Sequence, residues 1–379
     1  MRGSGRHSLP PLLPMPALDF RFVFAVSCAE GGRSLGKYVA KVDLGPIVEW
    51  GRFAALRRWV DPALAAEAEI RIKPVWHGEA GEPHVQGMRV TARAQGVPAV
   101  TVDIPASYFR SSATRIGDAL VSEGKLQSGE LISCAVLAFP ANSAKDKESR
   151  HSLEIEDVPV PITLSPGSID EELDQSVAFG EVDSTLLPVF VPQGVIEEIL
   201  ALSEAAAGVE DGSVLIGKIH HDPRSQVLFV KVTAQVPAPH TLSESAKLSF
   251  TSETWAAVQT ALDLRRCGEQ MVGWFHNHPA RYWCSKDCEP ETKLQCPFNT
   301  PFFSAADCDL HRVVFSNPCC VALLVTNNFS GMKLSMYGWD RAIIRQRGFH
   351  IIKPGTARPL LVAEAASTIG DINEPSCQT

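Results

Sequence analysis

Residues 271–279 read MVGWFHNHP, an apolar run that closes on two histidines two positions apart and a proline. The run has strand length, and Pro279 lacks the N–H that a continuing strand would need. In a strand, residues i and i+2 share a face. His276 and His278 are therefore expected to point the same way, as two ligands of one metal must. The pair alone is unspecific. With 11 histidines in 379 residues, chance supplies about 0.3 such pairs per chain, so its surroundings have to decide.

Working outward, Ser304-Ala305-Ala306-Asp307 opens a predicted helix over Ser304–Val314, with Ser304 at the N-cap and Asp307 in the first turn. Taken alone the quartet reads as a capping box with Asp in place of Glu. Upstream, Glu210 stands before Gly212 and the predicted strand Ser213–His220, where a lone Glu reads as an acidic turn. Further strands are predicted at Pro188–Val191, Gln226–Gln235, Val321–Thr326 and Met332–Gly338. Helices are predicted at Gln193–Ala207 and Ser252–Leu264, each with an apolar stripe at helical spacing.

Taken together and in this order, Glu210, Gly217, His276, His278, Pro279, Ser304 and Asp307 resemble the JAMM motif of the MPN+ metalloproteases. The resemblance spans about Leu187 to Arg347. It implies an MPN (JAB-like) α/β domain over 187–349, with a curved mixed sheet flanked by helices. It also implies a catalytic Zn²⁺ held by His276, His278 and Asp307, with a fourth position left for water. Glu210 would be the general base that carries the water proton to the leaving amine, and Ser304 would hydrogen-bond the developing oxyanion or the bound water. The implied reaction is hydrolysis of a peptide or isopeptide bond after the C-terminus of ubiquitin or a ubiquitin-like protein. Such conjugates, and proteins of the conjugation pathway, are the implied partners. Similar proteins occur in bacteria beside ubiquitin-like conjugation genes associated with antiphage defence, a setting the resemblance suggests here.

The chain departs from the family in one place: 28 residues lie between His278 and Asp307, more than the family usually has. The insert, 280–303, carries Cys284, Cys288 and Cys296, with Cys308 just beyond Asp307. Their spacing suggests a second, structural zinc, with Cys308 or His311 as fourth ligand; free thiols or a disulfide are the alternatives. Cys319 and Cys320 read as small core residues, and His220, His221 and His240 as surface or loop residues. Pro237–Phe250 occupies the place where the family's deubiquitinases carry a substrate flap.

The rest of the chain shows no site chemistry. Residues 1–17, broken by four prolines, read as a disordered tail. Residues 18–164 read as a separate N-terminal α+β domain for protein recognition. Its predicted strands are Asp19–Ser27, Lys37–Leu44, Glu69–Trp76, Val85–Ala94, Ala99–Ile104 and Glu130–Phe139, followed by an extended piece at Ser152–Leu164. Its predicted helices are Ile47–Ala66, broken near Pro62, and Ser111–Ser122. The acidic stretch 165–186 faces no basic residue within itself and reads as a solvated linker, and 350–379 as a C-terminal tail. A net charge of −8 argues against nucleic acid as partner, and no apolar run reaches the ~20 residues of a membrane helix. The cysteine usage suits a reduced, cytoplasmic protein. Two other functions remain open: a catalytically silent MPN scaffold in an assembly, or a zinc amidase acting on a different substrate.

Overall fold

The structure, a computed structural model, describes residues 20–77, 84–140, 162–206, 208–238, 250–283 and 296–354. The chain divides into two compact units, Met1–Val160 and Pro161–Thr379, each mixed α+β.

The first unit runs β1 (Phe20–Cys28), β2 (Ser34–Val39), α1 (Gly45–Trp59), α2 (Pro62–Ala66), β3 (Glu69–His77), β4 (His84–Arg93), β5 (Val100–Pro105), α3 (Arg110–Ser122) and β6 (Ile132–Pro140). Two antiparallel three-stranded sheets result, ordered β2-β1-β6 and β3-β4-β5. Alternation does the sorting in the second of them: Ile70, Met88, Val90, Ala92 and Ile104 are buried, while Glu69, Arg71, Lys73, Arg89 and Asp103 are exposed. The predicted helix over Ile47–Ala66 is two helices. Val60 turns left-handed (φ 56°), and Asp61 then caps α2 by accepting from Leu64 N at 3.0 Å. Pro62 takes the first helical position, where its missing N–H costs nothing. The break therefore falls before the proline, because the residue preceding a proline is steered out of the α region.

The second unit begins earlier than its composition suggests. Residues 165–186, expected as a solvated linker, contain most of β7 (Leu164–Pro166), α4 (Ile169–Asp174) and β8 (Ser176–Phe179). Their charge partner lies elsewhere in the chain: Glu172 pairs with Lys231 at 2.5 Å, and Ile169 N donates to Asp222 Oδ2. There follow β9 (Val189–Pro192), α5 (Gln193–Ala205), β10 (Gly212–Asp222), β11 (Val227–Pro237), α6 (Ser252–Arg265), β12 (Gln270–His278), α7 (Ala280–Trp283), α8 (Ala305–Val314), β13 (Val321–Asn328), β14 (Gly331–Asp340), β15 (Ile343–Arg347) and β16 (Phe349–Ile352). Residues 350–352, expected in the C-terminal tail, thus belong to a strand. The sheet is ordered β15-β14-β13-β12-β10-β11-β9-β16-β8, with β7 paired to β10.

The centre of this sheet positions the histidines. β13 is buried along its whole length, parallel to β12 on one side and antiparallel to β14 on the other. β10 lies between β11 and β12, and the register slips on both sides of Ile216, with Thr233 and Val272 as the extra residues. Such bulges bend and twist the strands, and the sheet curls here. Glycine is required at two of these points. A Cβ on Gly217 would stand 2.2 Å from Lys231 O, and one on Gly273 2.0 Å from Val321 O. Beyond the bulge, Trp274 pairs with Val214 and His276 with Gly212, which puts Trp274, His276 and His278 on one face. Beneath them Val214, Ile216, Val258, Phe315, Ala322, Leu324 and Tyr337 form a continuous apolar core.

Candidate metal centre

β12 delivers His276 and His278, α8 delivers Asp307, and the turn before β10 delivers Glu210. All four are almost fully buried. The Nε2 atoms of the two histidines lie 3.0 Å apart. Asp307 divides its carboxylate between them, with Oδ1 at 3.3 Å from His276 Nε2 and Oδ2 at 3.4 Å from His278 Nε2. Glu210 Oε1 stands 3.9 Å from His278 Nε2. One ligand atom from each of His276, His278 and Asp307 falls within 4.8 Å of the others, so the group could hold a metal ion. The donor set fits that occupant. Three ligands of a tetrahedral ion at ~2.0–2.1 Å would be spaced about 3.3 Å apart, close to the separations seen. Two imidazole lone pairs aimed at one point need a cation or a shared proton between them.

The electrostatics follow from burial set against proximity. Burial would raise the Asp307 carboxyl, but the two histidines outweigh it and hold the group below the carboxylate range. Burial also holds His278 below its ordinary value against the pull of Asp307. Glu210 is pushed up to about 7, mainly by burial, with His276 pulling it down and Asp307 pushing it up. A cation on the neighbouring triad would draw it down again.

Ser304 is the N-cap of α8, and the capping box read from the sequence is present. Ser304 Oγ accepts from Asp307 N at 3.1 Å, and Ser304 N donates to Asp307 Oδ2 at 2.7 Å. The cap and the candidate ligand are thus the same carboxylate: closing the helix end also orients Asp307 toward the histidines.

Three supporting contacts escaped the sequence reading. Trp274 stacks flat on His276 (centroids 4.5 Å, 12°), and its Nε1–H donates to His311 Nδ1 at 3.0 Å. Trp283 and Phe302 flank His278 at 5.1 and 4.9 Å. Asn277, between the two histidines, points to the opposite face of β12 and reaches the Glu210 turn. The signal for Trp274 was available: it sits two residues before His276 and must share its face.

The other sequence candidates divide. Cys284, Cys288 and His240 lie outside the described residues, as does most of Pro237–Phe250. Cys296 and Cys308 are half-buried. His311 is fully buried against Phe303, Phe315 and Trp339, with Nδ1 occupied by Trp274, so it does not serve as an insert ligand through that nitrogen. Its value is pushed down to about 3 by burial. Cys319 and Cys320 are buried core residues, as their place before an apolar strand indicated. His220 and His221, expected on the surface or in loops, are half-buried in β10. His220 stacks on Phe229 at 4.9 Å and meets Pro166 O at 3.1 Å.

No protein-family profile matches the sequence. No curated protein matches it. Among solved structures, the chain is similar to protein DSY2949 from Desulfitobacterium hafniense, known from a solution structure. The identity is 20%, over 44% of this chain and 92% of that one, with a TM-score of 0.30. At that score the likeness assigns neither fold nor function. Among the described residues no helix is long and apolar enough to cross a membrane.

Proposed function

We propose that the second unit is a zinc-dependent peptidase or isopeptidase of the JAMM/MPN+ kind, cleaving after the C-terminus of ubiquitin or a ubiquitin-like modifier. The observation that carries this is the convergence of Glu210, His276, His278 and Asp307, from three separate elements, on one buried point. Chance pairing of two histidines does not bring a buried carboxylate ligand and a second, non-ligating carboxylate to the same place.

Zinc, when bound by His276, His278 and Asp307, supplies the Lewis acidity that polarises the scissile carbonyl and makes the attacking water acidic near neutrality. Glu210 would take a proton from the attacking water as the C–O bond forms and give it to the amine nitrogen as the C–N bond then breaks, leaving a carboxylic acid and a free amine. Ser304 Oγ accepts from Asp307 N, which leaves its own O–H to donate to the developing oxyanion. Trp274 and Phe302 pack the imidazoles into fixed orientations and keep bulk water off them.

The test is a panel of ubiquitin-like proteins, including those of the source genome, each fused through its C-terminus to a reporter. Elemental analysis of the purified chain accompanies it. Zinc at one per chain or more, and cleavage at the fusion junction that stops on chelation and returns with zinc, is the expected result. A zinc-loaded protein that cleaves none of the panel would leave the amidase reading. A protein that binds no zinc would leave the scaffold reading.

A further inference from the structure

Glu210 belongs to neither helix nor strand; it sits in the short turn that leads into β10. A buried carboxylate on so short a segment needs something to fix its backbone, since rotation about its φ and ψ would swing the side chain away from His278. Those two angles turn two peptide planes, the one joining Val209 to Glu210 and the one joining Glu210 to Asp211. A single side chain holds both. Asn277 Nδ2 donates to Val209 O at 3.1 Å, and Asn277 Oδ1 accepts from Asp211 N at 2.5 Å. The backbone adds a third bond, from Asn277 N to Asp211 O at 3.1 Å, and Asp211 Oδ1 accepts from Gly212 N at 2.8 Å.

From this geometry we infer that Asn277 is the positioning residue for Glu210: its amide clamps the peptide groups on both sides of the base and so fixes where the Glu210 carboxylate stands over the metal-ligand group. The task is specific to a primary amide. It needs one donor and one acceptor on a rigid planar group, which Asn supplies and Ser, Ala or Leu do not. The placement also separates two duties within one tripeptide. Because alternate residues of a strand face opposite ways, His276 and His278 hold the ligand face while Asn277 ties the neighbouring turn from behind. With Asn277 only 1% exposed, water does not stand in for a lost partner at no cost.

This inference rests on the proposed role of Glu210, and the test separates the two. The variants are Asn277→Ala and Asn277→Ser in the full chain, with Asn277→Gln as the attempted conservative rescue. Two measurements need no substrate: zinc content, and amide hydrogen exchange of the peptide spanning Val209–Gly212. The clamp predicts unchanged zinc and exchange faster by about tenfold or more in this peptide, with the β13 amides unaffected. On the fusion that the wild type cleaves, kcat should fall by roughly 10²-fold while KM stays within a few-fold, as misplacement of a catalytic group requires. Unchanged exchange at 209–212 in both variants would overturn the clamp whether or not the wild type is a peptidase. So would loss of zinc matching that of His278→Ala, since Asn277 would then support the ligands and not the base. Faster exchange with kcat unchanged would show that the clamp holds the turn but does not position a base, and would overturn the inference. If the wild type cleaves no fusion, faster exchange at constant zinc still supports the clamp, and it is the Proposed function that fails.

Discussion

At the scale of single residues, the two carboxylates beside His278 differ in their bonding, and that difference can be measured. Asp307 is engaged on both oxygens by the histidines and by Ser304 N, whereas Glu210 only approaches, at 3.9 Å. Glu210→Gln keeps shape and removes the proton acceptor, so zinc should stay while kcat falls by about 10²–10⁴-fold. Asp307→Ala removes one of the three candidate ligands and one half of the α8 cap, so zinc should be lost and the melting temperature lowered. Metal analysis and turnover on both variants decide it, and near-normal turnover by zinc-loaded Glu210→Gln would remove Glu210 from the mechanism. The shared face of His276 and His278 and the capping box of Ser304 and Asp307 could be read from the sequence because strand parity and a helix cap are local rules. The clamp by Asn277 could not, because its partners, Val209 and Asp211, lie about 66–68 positions away in the chain and meet it only through the β10–β12 pairing.

At the scale of elements, β12 and α8 are joined by the bond from Trp274 Nε1 to His311 Nδ1, which makes their packing sensitive to acid. His311 is pushed down to about 3 from an ordinary 6.5, so between those values the unfolded chain binds a proton that the folded unit does not. Its contribution to stability is complete above about pH 6.5. It is lost as pH falls through the window, by roughly a factor of ten in the folding equilibrium per pH unit. Thermal melts of wild type and His311→Asn from pH 7.5 to 4.5 should show the steeper decline in the wild type; equal slopes would mean that other groups set the acid limit. Element boundaries were legible at the start of β12 and for α6, whose first turn is capped by Thr251 accepting from Thr254 N; the strand expected over Gln270–Phe275 continues to His278. They were not legible where bulges intervene. β10 and β11 run on to Asp222 and Pro237, past their predicted ends, and the slip at Gly217, which admits Lys231 O at a distance no Cβ allows, left no mark in the apolar pattern.

At the scale of the whole molecule, the boundary between the units lies upstream of the acidic stretch, and this sets where the chain can be cut. Composition placed 165–186 outside both folds because no basic residue stands within it. Lys231, Asp222 and β16 supply its partners instead. A fragment starting at residue 161 should therefore fold, bind zinc and melt cooperatively. One starting at residue 185 loses β7, α4 and β8 and should melt more than about 5 °C lower. If both melt alike, the acidic segment contributes nothing to the unit. Comparing the 161-start fragment with the full chain on a small fusion and on a large protein conjugate then tests recognition by the first unit: a loss confined to the large conjugate is the expected outcome.

The position of β16 has a consequence for how the protein is made. Its residues 349–352 pair with β9 on one side and β8 on the other, so the last described strand occupies a slot between two strands from the start of its unit. A ribosome delivers β8 and β9 well over a hundred residues before the strand that joins them. During that interval both present unpaired edges, the condition that exposes nascent chains to misassembly. The first unit can complete itself while synthesis continues. The second has to wait until residues 349–352 have left the ribosome, because only then can β8 and β9 be joined. A product that stops between Asp307 and Phe349 would then carry all four clustered side chains on a sheet still lacking the strand between β8 and β9.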